Sequence, residues 1–371
     1  MKKAAAVLLI LLLLPISVKA ENLSVFAKSA VLINGDNGEI IYEKNSDLKL
    51  SMASTTKIMT ALLLCEYGKP QKEITVTKEM VTVEGSSMGL LAGDKVTLHD
   101  LLYGLMLASG NDAANVAAYA VGGNLKNFVG LMNKKAQELG LYNTHFETPS
   151  GLDGKSHYTT AYDLALLTRY AMQNEEFCNA VSCQKATLCY GNPPYKRTLT
   201  NHNKLLKMRD FIVGVKTGFT KKSGRCLVSA AKKDGKFVIA VTLNDRNDWQ
   251  DHIKMLDYGL KAIKQTKVSP QSDSYNIPVI GGKSDCLTVK VKPLTVNSLD
   301  TGDIDCTVHL PRFVYAPVSK GEKVGKAVYR KNGKPFCEAE LLADKSINPL
   351  QNGDSMWKKI FNNIKTILKC V

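Results

Sequence analysis

The chain has no Cys-x-x-Cys pair and no cysteine–histidine spacing of the kind that holds zinc, although it carries nine cysteines. Its six histidines form no recognisable partner set for a serine nucleophile. Acidic residues are scarce, 34 against 49 lysines and arginines, yet no RNA-binding or DNA-binding pattern accompanies the bases. No metal, no other cofactor and no nucleic-acid partner is therefore expected. The longest apolar run, residues 4–18, is short for a membrane span of about 20 residues. The odd cysteine count leaves one thiol unpaired unless two chains join; buried free thiols and disulfides both stay open, and no bond is assigned.

What is present starts with Lys2 and Lys3, which precede that apolar run, and Val18-Lys19-Ala20, which closes it in a small-residue pattern. Residues 1–20 read as a secretory signal cleaved after Ala20, the alternative being a retained N-terminal membrane helix. Losing three lysines still leaves the mature chain clearly basic. An exported basic protein meets anionic surfaces, acidic lipid headgroups or cell-wall polymers, before it meets nucleic acid. At 371 residues and 44% hydrophobic content, the chain is long enough for one large domain and a smaller one.

Residues 29–43, SAVLINGDNGEIIYE, place two apolar segments around Asp36-Asn37-Gly38, which is hairpin chemistry. Residues 58–64 are apolar almost all round and predict a helix buried on every side. Thr97-Leu98-His99-Asp100 is a capping start for a helix that stops at Ser109-Gly110 and resumes as NDAANVAAYAVGG. Farther on, FIVGVKTG, RCLVSAAK and KFVIAVTLN have the β-branched character of buried strands, and DWQDHIKMLDYGLKAI closes the unit as a helix. The expectation is an α/β unit, an antiparallel sheet flanked by helices, over residues 21–266. Near Ser269-Pro270 the pattern turns to alternation, with an Asn332-Gly333 turn, so residues 267–350 read as a small all-β, sandwich-like domain. Residues 351–371 read as an amphipathic helix: Met356, Trp357, Ile360, Phe361, Ile364, Ile367, Leu368 and Val371 on one face, Lys358, Lys359, Lys365 and Lys369 on the other. That is the pattern of a helix lying in an anionic membrane surface, the alternative being a helix docked on its own β domain.

Ser54 and Lys57 stand one helical turn apart, which allows contact. A serine nucleophile needs a base in hydrogen-bond reach, and a lysine in that role must be neutral for part of the cycle. Burial or a second cation lowers its pKa. Ser-x-x-Lys also occurs at Ser46/Lys49, Ser182/Lys185, Ser229/Lys232 and Ser355/Lys358, so the tetrad alone decides nothing. A second cation is offered by Lys216 in the only Lys-Thr-Gly of the chain, at the end of an apolar strand. There Thr217 adds a hydroxyl for an anionic group and Gly218 permits close approach to the backbone. Lys222-Ser223-Gly224 is a look-alike in a polar turn. The third element, Ser109-Gly110-Asn111, offers a hydroxyl for proton relay and an amide for a substrate carbonyl. Ser274/Asn276 and Ser346/Asn348 share that spacing, but only one arrangement puts all three elements in order into the α/β unit.

Together, Ser54-x-x-Lys57, Ser109-Gly110-Asn111 and Lys216-Thr217-Gly218 resemble the three motifs of penicillin-binding proteins and serine β-lactamases. The likeness is closest to the low-molecular-mass D-alanyl-D-alanine carboxypeptidases, whose layout of signal, α/β domain, β domain and C-terminal amphipathic helix the chain shares. The resemblance implies that Ser54 attacks the penultimate D-alanine carbonyl of a peptidoglycan stem peptide while Lys57 takes its proton. It implies that the backbone N–H groups of Ser54 and Phe219 hold the oxyanion. Lys216 and Thr217 would bind the terminal carboxylate, and Ser109 would return a proton to the leaving D-alanine. Water then frees the acyl group, whereas a β-lactam antibiotic would leave Ser54 acylated. The location implied is the extracytoplasmic face of a bacterial membrane. Some relatives carry an arginine where this chain has His202; whether His202 helps bind the carboxylate or is a loop histidine near the cleft stays open.

Three rival readings share parts of this pattern. A class A β-lactamase would need a Glu and Asn pattern like E-x-E-L-N between Ser109 and Lys216, and none is found. Gly85-Ser86-Ser87-Met88-Gly89 fits the G-x-S-x-G of Ser-His-Asp hydrolases, but Ala92-Gly93-Asp94 follows where a helix should, which puts Ser87 in a loop bordering the cleft. A penicillin sensor or scaffold, acylated without turnover, would use the same residues as a carboxypeptidase.

Overall fold

The computed structural model of the protein describes residues 23–300 and 304–350; the expected signal segment 1–20 and C-terminal helix 351–371 lie outside them. Among the described residues no helix is long and apolar enough to cross a membrane.

The first unit is built on an antiparallel sheet with strand order β2-β1-β9-β8-β7. The strands are β1 (Ser29–Asn34), β2 (Ile40–Lys44), β7 (Ile212–Thr220), β8 (Gly224–Lys233) and β9 (Lys236–Leu243). Two small ribbons lie outside it, β3 (Glu73–Thr75) with β4 (Lys95–Thr97), and β5 (Lys185–Gly191) with β6 (Pro194–Thr200). All six residues of β1 are buried, and the period of two sends them to opposite faces. Val31 and Ile33 enter one core, Ala30 and Leu32 the other. β9 repeats this with Ile239, Val241 and Leu243 against Val238 and Ala240. A sheet apolar on both faces must be covered on both. The first turn falls on Asn37-Gly38, where Gly38 has φ +82° and its N–H donates to Asn34 O at 2.8 Å.

Helix α1 (Lys57–Tyr67) is central to the larger core, with residues 58–64 all buried. Around it pack α2 (Leu98–Met106), α3 (Asn111–Gly122), α4 (Leu125–Glu138), α5 (Ala161–Ala171) and α6 (Glu175–Ser182). The start of α2 is a reciprocal cap: Asp100 N–H donates to Thr97 Oγ1 and Thr97 N–H to Asp100 Oδ2, each at 3.1 Å. The opposite face of the sheet is covered by α7 (Asp248–Ala262), through Met255, Leu256 and Leu260. Burial pushes the thiols of Cys65 up to about 12 and Cys226 up to about 11, so both are protonated at neutral pH.

The second unit holds β10 (Lys264–Val268), β11 (Ser274–Ile280), β12 (Cys286–Val291), β13 (Leu294–Ser298), β14 (Ile304–His309), β15 (Val314–Tyr315), β16 (Lys323–Lys331) and β17 (Lys334–Ala343). A six-stranded sheet, β14-β16-β17-β12-β11-β15, shares one core with the β10–β13 pair through Val268, Val296, Leu287 and Leu341. β10 straddles the expected boundary between residues 266 and 267. Asn297 links the units, its side chain donating to Asp36 Oδ2 at 2.6 Å, and Lys331 pairs with Glu39 at 3.0 Å.

His252 of α7 is sealed between the helix and the sheet. Its Nδ1 meets Ser229 Oγ of β8 and its Nε2 meets Thr242 Oγ1 of β9 at 2.9 Å. Burial holds its pKa down at about 3. The unfolded chain takes up a proton near 6.5 and the folded one does not, so this contribution to stability is complete above 6.5 and is lost as the pH falls toward 3. At pH 4 the loss is on the order of 3 kcal/mol. His252→Gln should therefore flatten the decline in unfolding free energy between pH 6.5 and 4 by about that amount. Denaturant titrations at both pH values measure it; an unchanged acid slope would contradict the assignment.

Candidate active site

Ser54 lies in the 3-10 turn Ala53–Thr56 that feeds into α1. Ala53 is left-handed, φ +47°, a conformation a β-carbon opposes and the surroundings must impose. They do so by hydrogen bonds. Thr55 Oγ1 donates to Met52 O at 2.6 Å and Thr56 Oγ1 to Ala53 O at 2.8 Å. Thr56 in turn meets Nε2 of buried His157 at 2.8 Å, and His157 Nδ1 accepts the Glu147 N–H at 3.0 Å. Because Nδ1 accepts, Nε2 carries the proton, and the imidazole is neutral. Burial, the leading cause, pushes its pKa down to about 4.

Lys57 opens α1 and is fully buried. Its Nζ has three neighbours, Ser54 Oγ at 3.0 Å, Asn111 Oδ1 at 2.7 Å and the Ser150 carbonyl at 2.6 Å. An ammonium donates to all three. A neutral amine donates to the two carbonyl oxygens and keeps its lone pair for the serine hydroxyl. Burial holds the Lys57 pKa well below the ordinary lysine value, the Lys216 ammonium lowers it further, and Asp112 pulls the other way. Lys216, buried on β7 with its Nζ donating to Thr217 O at 3.0 Å, is itself pushed down to about 7 by burial. Two buried ammonium groups this near one another disfavour the doubly charged state, so Lys57 and Lys216 titrate as a pair.

The motif between α2 and α3 reaches the same place. Ser109 is left-handed, φ +56°, and Asn111 is anchored by its Nδ2, which donates to Glu84 O at 2.7 Å and so turns Oδ1 toward Lys57. On β7, a β-carbon at Gly218 would stand 3.0 Å from Ser54 N and 3.1 Å from Met52 O. Both contacts are backbone, so glycine is what lets the strand lie against the serine turn. Ser54, Ser109, His202, Thr217, Gly218 and Phe219 line one cleft of about 310 Å³. His202 is solvent-exposed there, its pKa lowered by desolvation and then by Lys216. Phe219 leaves its ring exposed on the rim.

Several residues of the cleft escape the sequence reading. Arg225, Asp248 and Trp249 close one end, with Arg225 Nη2 donating to Asp248 Oδ1 at 2.9 Å and lying over the Trp249 ring. Ser150 acts through its carbonyl, which no side-chain motif signals. Asp112, buried beside Asn111, accepts from Ser87 Oγ at 2.6 Å and from the N–H groups of Met88, Gly89 and Leu90, each at 3.0 Å. Ser87 is thus a loop tie. On the loop's other side Tyr190 OH donates to Met88 O at 2.7 Å, and Arg197 bonds Gly89 O while its guanidinium is stacked on the rings of Tyr190 and Tyr195. The β5–β6 ribbon and Asp112 clamp residues 86–90, whose Ser86 forms a wall of the cleft. Lys222 of the look-alike motif donates to Gly154 O at 2.8 Å in an exposed turn.

Residues 16–247 match the family model described as D-alanyl-D-alanine carboxypeptidase, and residues 264–349 that of the penicillin-binding protein 5 C-terminal domain. D-alanyl-D-alanine carboxypeptidase DacF of Bacillus subtilis is 33% identical over 332 residues, 85% of each chain. DacC of Escherichia coli is 31% identical over 352 residues, 87% of this chain and 85% of its own. Among solved structures, penicillin-binding protein 5 of Haemophilus influenzae superposes with TM-score 0.65 at 26% identity, over 88% of this chain and 98% of that one. The Streptomyces K15 DD-transpeptidase does so with TM-score 0.62 at 34% identity, over 64% of this chain and 98% of its own.

The Asp112 charge supports the Lys57 ammonium, so its removal lowers the Lys57 pKa further. Asp112→Asn should move the acid limb of covalent penicillin labelling to lower pH, while loss of its charged contacts to the loop slows the plateau by a factor of about ten or more. Labelling rates with a fluorescent penicillin across pH 5–9 read both; an acid limb that stays in place would contradict the coupling.

Proposed function

Because the chain belongs to the D-alanyl-D-alanine carboxypeptidase family, we propose that Ser54 is the nucleophile of its reaction and Lys57 the base. The enzyme is a serine-type carboxypeptidase that removes the terminal D-alanine from peptidoglycan stem pentapeptides through an acyl-enzyme, and it binds penicillin. The single observation that carries the assignment of residues is the 3.0 Å approach of buried Lys57 Nζ to Ser54 Oγ, with both other neighbours of Nζ being carbonyl oxygens.

In the proposed first step Ser54 Oγ bonds to the carbonyl carbon of the penultimate D-alanine as its proton passes to the Lys57 lone pair. The oxyanion lies between the backbone N–H groups of Ser54 and Phe219, a reading that the close packing of Gly218 on the serine turn supports. Lys216 and Thr217 take the terminal carboxylate, a role that favours the charged form of Lys216. Asn111 holds the amide of the acyl portion and, through Oδ1, the Lys57 amine. Collapse of the intermediate breaks the peptide C–N bond, and Ser109 gives its proton to the leaving D-alanine amine while taking one from the Lys57 ammonium, which becomes neutral again. Water then attacks the ester carbon as its proton passes to Lys57, and collapse of this second intermediate returns that proton to Ser54 Oγ. His202, which lines the same cleft and feels the Lys216 charge, is a further candidate for the carboxylate beside Arg225.

We also place the protein, by the pattern of residues 1–20 and 355–371, on the extracytoplasmic face of the membrane, held peripherally by the C-terminal segment. Deletion of residues 355–371 is expected to release it from membranes with catalysis intact.

Ser54→Ala should abolish covalent labelling by a fluorescent penicillin, and Lys57→Ala should leave a folded protein whose acylation is slower by about 10²–10⁴. The deciding assay is D-alanine release from diacetyl-Lys-D-Ala-D-Ala. A wild-type protein that labels with penicillin yet releases no D-alanine would replace this reading with that of a sensor.

A further inference from the structure

The β domain carries a feature that catalysis does not use. Phe313 and Tyr315 are exposed at 37% and 68%, their rings edge to face with centroids 5.5 Å apart. Two positions apart on extended chain, they share one side of it. β15 is an edge of the six-stranded sheet, paired with β11 through Val279–Val314 and Ile280–Tyr315.

The described residues end at this same edge. Gly282 bridges Pro349, Lys283 N–H donates to Asn348 O at 2.9 Å, and Leu350 N–H donates to Gly281 O at 2.9 Å. Leu350, the last described residue, is therefore bonded to the neighbour of Ile280, the partner of Tyr315. Whatever surface residues 351–371 engage, this edge is the part of the domain delivered to it.

Cations outnumber exposed acids around the edge, where Asp344 is half-buried. Arg312 adjoins Phe313; Lys283, Lys320 and Lys345 are exposed in the strands and turns that bond to the exit segment. Of the exposed acids among them, Asp285 and Glu322, the second turns back to accept the Ser319 N–H at 2.8 Å. Aromatic rings beside lysine and arginine suit a lipid interface, where a ring sits at headgroup depth and the cations face anionic phosphates.

We propose that this edge, Phe313 and Tyr315 with Arg312 and Lys283 beside them, is a second contact with an anionic lipid surface, engaged once residues 351–371 have bound. The proposal rests on the membrane role given above to that segment. With the tail attached, the edge contact is intramolecular: weak alone, it gains from the high effective concentration that the short exit provides. Two points of attachment hold the β domain in one orientation, so the catalytic unit stands on a fixed support rather than swinging from a single tether.

The test uses the mature chain, the same chain ending at Leu350, and Phe313→Ser/Tyr315→Ser in each, sedimented with phosphatidylglycerol/phosphatidylcholine vesicles and with pure phosphatidylcholine. Circular dichroism and thermal unfolding report that every variant is folded, and penicillin labelling that its catalytic unit is intact. The double substitution should weaken binding of the full chain to anionic vesicles about tenfold or more, and should abolish a weak, salt-sensitive binding of the truncated chain. Full-chain binding unchanged by the substitution overturns the proposal and leaves the tail as sole anchor. Truncation without effect overturns the tail reading instead. A shift of Trp357 emission in the full-chain double variant without vesicles would mean that the tail itself covers the edge, and also overturns the proposal.

Discussion

A buried lysine, which in the proposed mechanism must be able to lose its proton, is the constraint around which this catalytic unit is arranged. Lys57 cannot be placed at a surface, where its amine would stay charged, nor sealed among apolar groups, where it would touch nothing. The unit meets both conditions by putting it at the first position of a helix apolar all round, and by giving its Nζ two carbonyl oxygens and one hydroxyl. Each partner comes from a different part of the chain, the serine turn, the start of α3 and the loop before α5. Displacement of any one would leave either an unsatisfied donor in the core or a lone pair aimed away from Ser54.

The remaining architecture can be understood as support for that meeting point. The antiparallel sheet carries Lys216 close enough to discourage a charge on Lys57, and Gly218 closes the gap between strand and serine turn. Asn111 is fixed by Glu84 O and Asp112 by a run of backbone N–H groups, so α3 and the loop 84–90 position each other. The left-handed backbone at Ala53 and Ser109, next to Ser54 and at the head of the second motif, is sustained by this network. Strain of this kind persists only where neighbouring contacts over-determine it.

What the sequence made legible follows from where information is stored in side chains. The turns at Asn37-Gly38, Asp234-Gly235 and Asn332-Gly333 carry positive φ at the glycine and, in the last two, at the residue before it, the chemistry the dipeptides announce. The helix at 58–64 and strands β7, β8 and β9 announce themselves by apolar runs. The β5–β6 ribbon is hard to read because its buried face is only a few residues wide, Leu188, Tyr190 and Leu199, set among exposed polar positions. Ser150 and Asp112 were invisible for another reason: one contributes a carbonyl and the other binds backbone N–H groups more than twenty residues away. Backbone donors and acceptors are the same at every position, so pattern cannot single them out.

The claim on which all of this depends is that Lys57 is neutral at working pH because it is buried beside Lys216. An NMR titration of 13Cε-labelled lysine, with the Lys57 signal assigned by its loss in Lys57→Arg, measures this directly. The account predicts that Lys57 titrates well below the usual lysine range and moves upward when Lys216 is replaced by Met. A Lys57 signal that titrates at the ordinary lysine value, or that ignores the loss of Lys216, would contradict it.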